Sequence, residues 1–205
     1  MGKKQSYKYV KNESILYGIN DEYELSMHEY STLYSFFVTY SCCGTQSYKK
    51  RTFADYGWNE FSRKIGDNTP NPSKYLKDAL TRIIDLDDKS HFIFTDDDNL
   101  KSCFAAVNLT NEKLADYDVE RAVIAKTNET NRYLKLFYRI RDGFAHGKFK
   151  LVFASNQEKM VVIQDDDSHN VTARIIIKLQ TLLNMIQVID KSALIQFSDR
   201  NNTAQ

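Results

Sequence analysis

Residues 170–190 read NVTARIIIKLQTLLNMIQVID, and Ile175, Leu179, Leu182, Ile186 and Ile189 recur there at helical spacing. The spacing predicts one long amphipathic helix over 170–190. Upstream, residues 131–145 also read as a helix, with Leu134, Phe137, Tyr138 and Phe144 on its apolar face. Between these two segments Phe149, Leu151 and Phe153 alternate as in a strand. Met160 to Ile163 supply a return strand across a polar turn near Asn156, so a hairpin is expected at 148–164.

The N-terminal half points the same way. With two prolines and seven glycines against 13 Tyr and 12 Phe, the chain has few forced breaks and many large side chains for packing between helices. Asp21 and Glu24 form a capping pair, after which Tyr30, Leu33, Tyr34, Phe37 and Tyr40 predict a helix to about Cys43, ended by Gly44. A second helix is expected after Asn71-Pro72, burying Leu76, Leu80, Ile83 and Ile84. A short helix around Trp58–Ile65 is set in loops, and residues 112–126 read as another helix. Thr127 to Asn131 favour neither helix nor strand, because short polar side chains compete for the backbone; a kink and a loop both fit. The expected class is therefore all-α, a helical bundle with one small β-hairpin. It forms a single domain over 1–197, followed by a loose polar tail at 198–205.

Charge narrows the functions. Twenty-eight Lys and Arg stand against 27 Asp and Glu, a net charge of +1, so the global basic footprint of a protein that coats nucleic acid is missing. Basic character is local: Arg132, Lys135, Arg139, Arg141, Lys148 and Lys150 lie within 132–150 beside a single acid, Asp142. Three cysteines, Cys42, Cys43 and Cys103, form neither an even disulfide set nor a C-x-x-C pair. No apolar run approaches the ~18 residues of a membrane span, and no secretory leader is visible, so a cytoplasmic protein with no membrane contact is expected. The carboxylate runs Asp96–Asp98 and Asp165–Asp167 read as solvated charge in turns, and no metal site or cofactor is expected. His28 and His91 stand apart from other ligand types, and His169 is read as preceding a helix cap.

The chemistry concentrates in Arg139-Ile140-Arg141-Asp142-Gly143-Phe144-Ala145-His146-Gly147-Lys148. This stretch resembles the R-x4-6-H motif of the HEPN superfamily, small helical domains many of which are RNases. Arg141 is the motif arginine, Asp142 its polar follower and His146 the histidine, flanked by Ala145 and Gly147. The resemblance extends to the hairpin and the terminal helix, an arrangement found in a bacterial and plasmid-encoded HEPN group, and it leaves 45–110 as a family-specific insertion. It implies a metal-independent endoribonuclease that leaves a 2′,3′-cyclic phosphate, works as a homodimer, and serves in bacterial defence or toxin action. The toxin subfamily paired with nucleotidyltransferase antitoxins carries R-x4-H-x-Tyr. Lys148 stands at that tyrosine position, which puts inactivation by tyrosine modification in doubt while leaving an antitoxin or regulatory partner of another kind open.

The residue types suit the reaction. An imidazole with an ordinary pKa near ~6.5 exchanges protons around neutrality, and a guanidinium grips two phosphate oxygens at once. His146 is thus expected in proton transfer, Arg141 on the scissile phosphate, and Asp142 orienting the imidazole from four residues away. Arg139, Lys148 and Lys150 are expected to guide RNA. On an ideal helix Arg141 and His146 lie roughly 140° apart. Either the helix unwinds near Gly143 or the cleft is assembled from two copies. A rival reading is a non-catalytic module for dimerisation or nucleotide or RNA binding, since an arginine and a histidine near a helix C-terminus also complement its dipole.

Overall fold

The computed structural model describes residues 14–41, 51, 54–56, 72–96, 100–110, 116–125, 131–167 and 170–190. The chain divides into two compact units, each assembled from separated segments: residues 1–24 with 87–178, and residues 25–86 with 179–205.

The first unit is built on a five-stranded mixed sheet of β1 (Phe92–Thr95), β2 (Arg121–Ala125), β3 (Phe149–Phe153), β4 (Lys159–Asp167) and β5 (Asn170–Lys178), in the order β1-β2-β5-β4-β3. β1 and β2 are parallel, and every other pairing is antiparallel. An α/β architecture thus replaces the expected all-α bundle. The correction begins at residues 170–178. Ile175, Ile176 and Ile177 are consecutive β-branched residues, which no single helical stripe can bury together. A central strand covered on both faces can, and residues 171–177 are all buried. The expected long helix therefore splits at Lys178, whose backbone N–H is taken by Glu120 Oε1 at 2.9 Å. Its second half survives as helix α5 (Leu179–Ile189), which buries the anticipated Leu182, Ile186 and Ile189. In the same way the end of the helix expected over 112–126 is β2, buried at all five positions.

Two helices of this unit cover opposite faces of the sheet. Helix α3 (Leu100–Ala106) buries Leu100 and Phe104 against Val123, Val162 and Ile176. Arg174 shares that face, with its guanidinium over the Phe104 ring at 4.6 Å and a hydrogen bond of 2.8 Å to the Leu109 carbonyl. Helix α4 (Arg132–Ala145) falls where the sequence predicts it, capped by the Asn131 side chain, which accepts from the Tyr133 and Leu134 N–H groups. It lies on the other face, along β4, where Gly143 meets the Ile163 side chain. The hairpin β3–β4 also forms as expected. Its outer edge is closed by carboxylates: Asp21 accepts from Leu151 N at 2.9 Å and Glu22 from Phe153 N at 2.6 Å, while Glu22 N donates to the Leu151 carbonyl at 2.7 Å.

That use of Asp21 displaces the expected helix start. In the second unit helix α1 (Met27–Leu33) opens with a capping box of Ser26 and Glu29, then widens into a π-helical turn over Tyr34–Thr39 that buries Phe36 and Phe37. Helix α2 (Pro72–Ile83) buries Leu76 and Leu80 as the sequence predicts; the expected Ile84 is buried just beyond its end, while Ile83 is only half-buried. α5 packs against both α1 and α2. Cys42, Cys43, Gly44, the Trp58–Ile65 segment, Thr127–Thr130, His169 and the tail lie outside the described residues. No helix among the described residues is long and apolar enough to cross a membrane.

The approach of α4 to the sheet depends on a missing side chain, because a Cβ at Gly143 would overlap the Ile163 side chain. Gly143→Ala is expected to destabilise the protein by about 1–3 kcal/mol through overpacking, despite alanine's higher helix propensity. Urea denaturation of Gly143→Ala, with and without Ile163→Ala, checks this: the second change should recover part of the loss.

Candidate functional site

Helix α4 runs unbroken through Gly143 to Ala145, with His146 as its C-cap. The His146 N–H donates to the Asp142 carbonyl at 3.1 Å, and Lys148 N donates to the Gly143 carbonyl at 2.8 Å. Gly147 then takes φ +64°, the left-handed conformation that lets the chain leave the helix and enter β3. The unwinding alternative at Gly143 is therefore removed. By ideal helix geometry, Arg141 and His146 leave the helix on sides roughly 140° apart.

His146 is exposed. Arg141 keeps 22% of its side chain exposed, and its guanidinium NH1 donates to Asp142 Oδ1 at 2.5 Å. Asp142 is engaged by Arg141, where the sequence predicts His146. Its carboxylate, 12% exposed, is engaged by the neighbouring guanidinium, and only its backbone carbonyl reaches His146.

Arg139 departs further from expectation. It is buried, with NH1 on Asp165 Oδ2 at 2.6 Å and NH2 on the Ala125 carbonyl at 2.6 Å, so its guanidinium faces the sheet instead of solvent. Thr172 Oγ1 donates to the same Asp165 oxygen at 3.0 Å. Burial raises the Asp165 carboxyl above its ordinary value even though Arg139 pulls the other way. The Arg139 guanidinium also lies 5.3 Å from the centre of the Tyr138 ring, and the Tyr138 hydroxyl is pushed up by burial and by the negative charge of Asp142. Lys148 pairs with Asp166, and Lys150 with Asp21 at 3.2 Å. Both lysines are about a third exposed, and ion pairs of this kind contribute little and exchange readily with other anions.

Sequence reasoning missed Asp165, Thr172 and Tyr138. The aspartate run at 165–167 read as a solvated turn, but its first member belongs to an inner strand. It also missed a small cluster at the start of β1, where His91 Nδ1 meets Asp88 Oδ2 at 2.7 Å and Ser90 Oγ at 2.9 Å. Hydrogen bonds from Ser90, then from His91, hold the Asp88 carboxyl down to about 2. Both partners use the same ring nitrogen, so the trio lacks the relay of a nucleophilic triad. Among the described residues no group of three or more His, Cys, Asp or Glu could hold a metal ion. No family model matches the sequence, and no curated protein or solved structure matches it significantly.

The Arg139–Asp165 pair generates a stability prediction. Arg139→Met should cost about 3–5 kcal/mol at neutral pH, because Asp165 is left as a buried charge without its counter-ion. A carboxyl with a raised folded pKa contributes stability below its unfolded value of roughly 3.9 and loses that contribution as pH rises through the folded value. Losing Arg139 raises it further, so the deficit of Arg139→Met should be smaller near pH ~5 than at pH ~7. Denaturant titrations at the two pH values measure it.

Proposed function

We propose that the protein is a metal-independent endoribonuclease whose cleft is completed by a second copy of the chain. The observation that carries this reading is the placement of the R-x4-H pair at the end of a continuous, well-capped helix, with the His146 imidazole exposed and Arg141 beside it on another side. The resemblance to HEPN RNases rests on this segment and the hairpin after it, and no longer on an all-α fold.

The chemistry follows the residue types. His146 exchanges the proton that leaves the attacking 2′-hydroxyl or reaches the departing 5′-oxygen, and Arg141 neutralises the charge that gathers on the phosphorane. The 2′-oxygen bonds to phosphorus as the P–O5′ bond breaks, giving a 2′,3′-cyclic phosphate and a 5′-hydroxyl. Asp142 fixes the direction of the Arg141 guanidinium. Lys148 and Lys150 are the cations left to guide RNA, and Arg139 has no contact with it. Since one helix separates Arg141 from His146, the working pair comes from two protomers of a homodimer. Defence or toxin action in the cytoplasm, controlled by an antitoxin or another regulatory partner, is the biological setting this reading carries.

A second reading, a non-catalytic module for dimerisation or for RNA or nucleotide binding, is favoured by the Arg141–Asp142 pair, which leaves the motif guanidinium partly neutralised. Incubation of purified protein with total RNA and tRNA in excess EDTA separates the two. The expected result is cleavage to cyclic-phosphate ends, reduced at least ~100-fold by His146→Ala and by Arg141→Ala. Intact RNA with all three proteins folded and dimeric would establish the non-catalytic reading instead.

A further inference from the structure

We infer that Asp165 is a positioning residue that holds the C-terminal turn of α4 in place from inside the sheet. The kinetic part of this inference rests on the endoribonuclease reading; the structural part does not. Arg139 and Gly143 are one turn apart on α4, and Asp165 and Ile163 are two residues apart on β4, so each pair shares one face of its element. The helix is therefore attached at two points along a single strand. Gly143 meets Ile163 at one of them, and Arg139 meets Asp165 at 2.6 Å at the other.

The strand is irregular just where it makes the second attachment. Register shifts between Asp165 and Asp166, so that Asp165 pairs with Ala173 and Asp166 with Val171, and Thr172 becomes the extra residue on β5. Thr172 turns its hydroxyl onto Asp165 Oδ2 at 3.0 Å. Such bulges re-aim side chains. In a regular strand Asp165 and Asp166 would point to opposite faces, yet here the segment 139–148 engages both, Asp165 through Arg139 and Asp166 through Lys148. The Arg139 guanidinium also takes the Ala125 carbonyl at the end of β2. Two strands thus meet one helical side chain directly, and a third supports it through Asp165.

The consequence reaches the motif. By ideal geometry Arg141 lies about 180° around the helix from the mean direction of Arg139 and Gly143. The two attachments set the rotation of α4, and that rotation sets where Arg141 points. They also hold the last turn, on whose hydrogen bonds from His146 N and Lys148 N the placement of His146 depends.

The test uses Asp165→Asn, which keeps the shape and an acceptor oxygen but removes the charge. Leu109→Ala, in the core on the opposite face of the sheet, serves as a destabilised control. Steady-state RNA cleavage is measured alongside amide hydrogen exchange at His146 and Lys148, at a temperature where all three proteins are folded. Asp165→Asn should lower kcat on the order of tenfold to a hundredfold with KM within about twofold, and should lower protection of the two amides roughly tenfold. Leu109→Ala should leave both amides protected relative to its own global stability. Unchanged kcat and unchanged protection in Asp165→Asn would overturn the inference, as would equal losses in the control. If the wild type leaves RNA intact, the endoribonuclease reading fails, and the exchange data alone decide whether Asp165 holds the helix end.

Discussion

The buried ion pair between Arg139 and Asp165 is the constraint on which the arrangement of the motif helix depends. Each charge would be costly to bury alone. Together, with Thr172 and the Ala125 carbonyl supplying further hydrogen bonds, they bind α4 to β2, β4 and β5 at one point. The close approach at Gly143 then settles the rest, because only a residue without a side chain lets the helix lie against Ile163. α4 runs unbroken from Arg132 to Ala145, His146 caps it, and the left-handed turn at Gly147 leads into β3.

An unbroken helix end constrains the chemistry. An R-x4-H pair on a helix that unwound could close around one phosphate from a single chain. On the unbroken helix, the same pair leaves Arg141 paired with Asp142 on one side and His146 exposed on another. In the proposed function this geometry is resolved by a second copy. In the non-catalytic reading the same pair would instead bind a partner or ligand surface.

Much of the local structure was legible in the sequence. Phe137 and Phe144 of the expected apolar face place α4, although Leu136 and Ile140 are buried where Leu134 and Tyr138 were expected; Pro72 places α2, and the alternation at Phe149–Phe153 places the hairpin. The sheet was not legible, for a physical reason. Inner strands buried on both faces lose the alternation that marks a strand, so Arg121–Ala125 and Val171–Ile177 present continuous apolar runs that also fit a helix. Isoleucine at 175, 176 and 177 was the signal that separated the two readings. The site was legible by residue type but not by partner. Arg139, Arg141 and Asp142 were all visible, yet which carboxylate each guanidinium meets depends on the sheet pairing that lays β4, with Asp165, under the helix from 26 residues away.

The composite cleft is tested most directly by mixing two inactive variants. Arg141→Ala and His146→Ala, each purified as a folded dimer, are combined, allowed to exchange subunits, and assayed on RNA in EDTA. The account predicts that activity returns as mixed dimers form, because an intact Arg141 of one copy then meets an intact His146 of the other. Mixed dimers that remain as inactive as either parent, beside an active wild type, would contradict it.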